Sequence, residues 1–165
     1  MAAHTSAKLE DILQAVVDRL IDQVAGFSDA NCYLSINPDA TPEPNPGDYI
    51  CVVAPTGGMF DENAYHGGGE GQCTINSGIL VKLHSPIQLD QPHRDAEFLK
   101  HASLGVLAKW RLIVKALLWP WQLQIDGNDG TRDPLIPAEY TLSRRDRRLG
   151  AIEQVFKANF DLDLS

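Results

Sequence analysis

A chain of 165 residues and 18.1 kDa suits one domain and is too short for a (β/α)₈ barrel, which takes about 250 residues. Hydrophobic residues make up 44% and charged residues 22%, ordinary globular usage that excludes wholesale disorder. The formal net charge of -8, from 14 Lys+Arg against 22 Asp+Glu, argues against tight sequence-independent nucleic-acid binding, which needs clustered cations to neutralise phosphates. Cys32, Cys51 and Cys73 are odd in number and lack CxxC spacing, so neither a disulfide framework nor a zinc site is indicated. Free cysteines in apolar strands pack as small hydrophobes and fit a reducing compartment. No stretch approaches the ~18 apolar residues of a membrane span, and Met1 to Lys8 lacks the pattern of a signal peptide.

The chain reads as one α+β domain over residues 1–165. Leu9, Ile12, Leu13, Val16, Val17, Leu20, Ile21 and Val24 recur at helical spacing between about Lys8 and Ala25, with Ser6 as cap and Gly26 as stop. Asn31 to Ile36 alternates, with Cys32, Leu34 and Ile36 on one side, as a half-buried strand does. The Pro-rich segment 37–47 reads as a stiffened loop. Asp48 to Ala54 is a short apolar strand, and the Gly-rich segment 55–71 a second loop. Gln72 to His84 alternates almost strictly. Cys73, Ile75, Ser77, Ile79, Val81 and Leu83 lie on one face, and Gln72, Thr74, Asn76, Lys82 and His84 on the other, expected to be wet. A second helix is predicted from about His93 to Leu118, followed by a strand at Trp121 to Asp126. A turn at Gly127 to Gly130 and an irregular loop at Thr131 to Ala138 come next. The last segment, Ala151 to Leu164, alternates again, with Glu153, Lys157, Asn159, Asp161 and Asp163 on a face expected to meet solvent. Strand runs with two separated helices predict a mainly antiparallel sheet with both helices on one face, and a long β-hairpin or projecting strands.

Catalytic patterns are scarce. The Gly67, Gly68, Gly69 run leads into Gln-Cys-Thr-Ile, a strand without the lysine of a phosphate loop, and reads as a hairpin tip that approaches a neighbour. His93, Glu97 and His101 share a helix face at i, i+4 and i+8, but not in the zincin arrangement; a solvated face explains them more simply. There is no GxSxG elbow. Asp161 and Asp163, two apart on a strand, read as carboxylates on a wet face. Arg144, Arg145, Arg147 and Arg148 are the basic cluster. Four arginines suit a phosphate or a partner's carboxylates, and without interleaved aromatics they do not indicate base stacking.

Four features together resemble the tail terminator and neck (tail-completion) proteins of long-tailed bacteriophages: the helix LEDILQAVVDRLIDQV, the early strands around CYLSI and YICVVAP, the GGGEGQ lead into CTINSGILVKLHS with the Asp90-to-Arg94 start of the second helix, and the terminal VFKANFDLDLS. The resemblance implies a structural virion protein without enzymatic activity or cofactor, forming a homo-oligomeric ring, usually a hexamer, that caps the tail tube and joins it to the head connector or stopper protein. It implies assembly in the host cytoplasm, residence in the virion, and DNA passing through without specific binding. An acidic channel would repel that DNA. Gly67–Gly69, Arg144, Arg145, Arg147, Arg148, Asp161 and Asp163 are then the expected subunit or partner contacts. The alternatives are a small metal-dependent hydrolase using His66, His93, Glu97 or His101, and a monomeric ligand-binding domain.

Overall fold

The computed structural model describes residues 6–42, 44, 48–60, 73–86, 99–100, 105–118, 121–144 and 149–163. Helix α1 spans Leu9–Gln23 and buries Ile12, Leu13, Val16, Val17 and Leu20, the stripe its spacing predicts. Its N-cap is Lys8, with no side-chain cap, so the expected Ser6 cap does not form. Gly26 holds the left-handed φ of +89° expected of a helix stop. The last turn of α1 carries no basic residue. Lys109 of the second helix supplies the cation instead, donating from Nζ to Ala25 O at 2.8 Å, where a positive charge complements the helix dipole. It also lies 5.6 Å and 5.1 Å from the ring centres of Phe27 and Tyr49. Burial there pulls its pKa down.

Five strands form the main sheet in the order β1-β2-β3-β7-β6. They are β1 (Cys32–Leu34), β2 (Ile50–Phe60), β3 (Cys73–Pro86), β6 (Ile136–Arg144) and β7 (Leu149–Leu162). Only β1 and β2 run parallel; the other pairs are antiparallel. Strands β4 (Gln124–Ile125) and β5 (Asn128–Asp129) make a separate small hairpin. Its turn residues Asp126 and Gly127 both have positive φ, 51° and 79°, as a two-residue hairpin turn requires. The turn, Ile125 to Asn128, thus sits two residues earlier than the predicted Gly127 to Gly130, and the strand before it is shorter.

Helix α2 covers Val106–Leu117 and buries Val106, Ile113, Ala116 and Leu117. Gly105 ahead of it is extended, with ψ 140°, so the single helix expected from His93 is broken there. Both helices pack on one face of the sheet, against Cys51, Val53, Ile79, Val81, Leu83, Ile152, Phe156, Ala158 and Phe160. The α+β class, the mainly antiparallel sheet and the one-sided helices are as the sequence predicts.

Four further expectations are corrected. The segment from Pro55 does not leave the sheet: β2 continues to Phe60, with a bulge between Pro55 and Gly57. Beyond Val53 that strand has no β1 neighbour, so a proline without an N–H is tolerated. Gly57 supplies the left-handed φ of +101° at the bulge, and Gly58 permits close strand approach, since a Cβ there would come within 2.7 Å of Asn76 O. Ile36 is 94% exposed, because β1 ends at Leu34 and Ser35 Oγ bonds Asn37 O at 3.0 Å as the chain turns away. Strand β6 begins at Ile136, inside the loop expected over Thr131 to Ala138, and runs on through residues for which the sequence predicts no strand.

The fourth correction concerns the second sheet face. Lys82, His84 and Thr74 are buried, not wet. The residues after β1 lie over this face as a strap at Pro38 and Asp39: His84 Nε2 meets Pro38 O at 2.7 Å, and Lys82 Nζ donates to Asp39 at 2.6 Å. Val52 and Ala151 are buried on the same face.

Candidate functional site

Among the described residues, exposed apolar side chains gather at one edge of the sheet and at the far end of the β2–β3 pair, apart from the isolated Ile36 and Leu112. Strand β6 hydrogen-bonds to β7 on one side and ends the strand order on the other. Residues 136–143 are all exposed, including Ile136 at 56%, Tyr140 at 60% and Leu142 at 42%. Tyr140 and Leu142 stand opposite Gln154 and Ile152, on the helix-bearing face. Gln154 is buried and fixes the local geometry. Its Oε1 accepts from Trp110 Nε1 at 3.1 Å, and its Nε2 donates to Glu139 O at 3.2 Å and Val155 O at 2.9 Å. The rings of Tyr140 and Trp110 sit 5.1 Å apart and tilted. This cluster holds β6 against α2 at the register shift between Pro137 and Tyr140. A nine-residue strand whose outer side pairs with no other strand among the described residues, and which carries exposed apolar side chains, is a template for pairing with another chain.

At the other exposed end, β2 residues 55–60 lie open to solvent, with Met59 at 76% and Phe60 at 63%. They pair with β3 through Met59↔Asn76 and Phe60↔Ile75, so this apolar end is carried on a paired ribbon.

Asp161 is not the solvent-facing carboxylate expected. It is buried, accepts from Thr74 Oγ1 at 2.6 Å, and is gripped by Arg132 Nη2 at 2.8 and 3.1 Å and Nε at 3.1 Å. The physical reason is that the end of β7 is flanked. Ala7 exchanges backbone bonds with Asp161 and Asp163, and Arg132 N donates to Asn159 O. Asp163 is half-buried. The internal partner, Arg132, lies in a loop whose proximity to β7 no spacing in the sequence reveals. Arg144 closes β6, with its backbone opposite Gly150. Arg145, Arg147, Arg148, Gly67, Gly68 and Gly69 lie outside the described residues, as do His66, His93, Glu97 and His101 of the hydrolase alternative.

A shallow cleft of about 520 Å³ lies between α1 and the segment after α2, lined by Asp18, Arg19, Asp22, Trp121 and Gln122 among others. Arg19 donates to Ala116 O at 3.1 Å and lies 5.3 Å from the Trp121 ring centre, so it already serves to join the two helices. Asp18 accepts from Gln14 at 2.8 Å. Among the described residues no group of three His, Cys, Asp or Glu could hold a metal, and no helix is long and apolar enough to cross a membrane. A scan against protein-family models finds no match to this chain, and a search of curated proteins finds none either.

Proposed function

We propose that this protein is a ring-forming structural component of a phage-like tail, a tail terminator or neck protein that caps the tail tube and joins it to the head connector, acting by assembly and not by catalysis. The observation that carries the reading is the outer edge of β6, unpaired by any strand among the described residues, with Ile136, Tyr140 and Leu142 exposed. A monomeric sheet protein ordinarily blunts or covers such an edge. The exposed Met59 and Phe60 at the end of β2 give a second surface, distant in the strand order from β6. Two unlike surfaces on one subunit suit head-to-tail contacts, which close into rings, here of six copies with DNA passing through the ring. Light scattering coupled to size-exclusion chromatography, with electron micrographs of the same fractions, tests this. Closed rings are expected from the native chain, and smaller species from Leu142→Glu or Tyr140→Glu. A native chain that stays monomeric at high concentration and in the presence of tail-tube protein would overturn the reading.

A further inference from the structure

Two of the three cysteines face each other. Cys32 on β1 and Cys51 on β2 are direct partners in the parallel register, and both are buried, at 1% and 0% exposure. Paired strands lie about 4.7–4.9 Å apart, within the roughly 4.4–6.8 Å range of Cα separations that a disulfide spans. The adjacent Cys32 thiol, together with burial, pushes the Cys51 thiol well above its ordinary pKa. Cys73 does not compete: Cys51 pairs with Leu83, and Cys73 lies about 33 Å further along β3 at roughly 3.3 Å per residue.

We propose that Cys32 and Cys51 are a latent disulfide, closed by a small-molecule disulfide such as oxidised glutathione, that staples the edge strand β1 and the strap following it to β2. This inference does not depend on the ring reading. Strand β1 has three residues at the sheet edge, so its local opening frees Cys32 while Cys51 stays on a strand held by β3. The Cys32 thiolate attacks one sulfur of the small disulfide, breaks its S–S bond and releases one thiolate. Cys51 then loses its proton and attacks the Cys32 sulfur of the mixed disulfide, and the second small thiolate leaves. The two protein thiols give up two electrons and two protons; the small disulfide takes them and becomes two thiols. Closure pins both ends of the segment that carries Pro38 and Asp39, so the strap cannot detach from His84 and Lys82 at its β1 end.

The test uses the full reduced chain, incubated with oxidised glutathione, denatured, alkylated with N-ethylmaleimide and mapped by mass spectrometry without reduction. The expected product joins the Cys32 and Cys51 peptides, two hydrogens lighter than their reduced sum, and leaves Cys73 alkylated or carrying glutathione. The urea midpoint of the oxidised protein should rise and fall back on addition of dithiothreitol, while Cys32→Ala shows no redox-dependent shift. Alkylated or separately glutathionylated Cys32 and Cys51 overturn the proposal, as does a bridge to Cys73. A Cys32–Cys51 bridge with an unchanged or lower urea midpoint overturns the staple.

Discussion

Lys82 is the residue at which the sequence pattern and the fold differ most. Alternation along β3 puts it on the side away from the helices, and the structure agrees. Yet its side chain is buried at 6% exposure between Asp39 of the strap and Glu153 of β7. Burial pulls its pKa down, but the hydrogen bonds and charges of Asp39 and Glu153 outweigh this and hold it above 10.5. A lysine whose folded pKa is raised contributes its full stabilisation below 10.5 and loses it as pH climbs past the raised value. We expect stability to fall in that alkaline range and the fall to shrink in Lys82→Met, as followed by urea unfolding at stepped pH. At neutral pH Lys82→Ala should cost about 2 kcal/mol, the scale of lost hydrogen bonds to charged groups. Exposed Lys157→Ala on the same face of β7 should stay within about 0.5 kcal/mol. Equal effects of the two changes would show that the strap does not hold Lys82 in solution.

At the scale of the element, β3 is the strand on which the sheet is built, paired along its length by β7 and over most of it by β2. Ile79 and Val81 are 0% and 1% exposed beneath the helices. Truncating Ile79 to Ala should cost about 2–4 kcal/mol, as removal of buried methyl groups does. Gly58→Ala should also destabilise, by about 1–3 kcal/mol, because its Cβ would strike the backbone of Asn76 where no side chain can swing aside. Denaturant midpoints at unchanged slope measure both; a neutral Gly58→Ala would mean the β2–β3 pairing past the bulge is not formed. Strand β6 escaped the pattern for a related reason. Period-2 alternation reports one buried face, and β6 is exposed on both, so its start reads as loop with Pro134 and Pro137 and the rest gives no strand pattern.

For the whole molecule, charge and edge geometry bear on assembly together. Arg144 ends β6, the edge strand, and Arg145, Arg147 and Arg148 come next in the sequence, in a chain of net charge -8. In the proposed ring they meet carboxylates of the adjacent subunit. Asp161 is not that partner, since Arg132 and Thr74 already occupy it. Replacing all four arginines by alanine should weaken assembly. Wild-type assembly should weaken as salt rises, since exposed ion pairs are screened over about 8–10 Å. Each pair is worth only about 0.2–1 kcal/mol, so single changes should be nearly silent. Sedimentation at stepped salt checks this. A quadruple variant that assembles like wild type but loses a DNA affinity that wild type displays would assign the cluster to DNA instead.

The one-dimensional pattern alone determined α1, the faces of β3 and β7, and the α+β class, because period 3.6 or 2 in apolar residues is written directly by burial against a single layer. It could not determine what lies on the second face of the sheet. Lys82, His84 and Asp161 are polar, and polarity signals solvent unless a partner distant in sequence satisfies the group. Asp39, Pro38 and Arg132 are such partners, brought there by the strap and by the loop before β6. The meeting of Cys32 with Cys51 and the end of the strand order at β6 are likewise matters of register and strand order. Those depend on which strands pair, a choice made by the collapse of the whole chain around α1 and α2 and recorded in no local spacing.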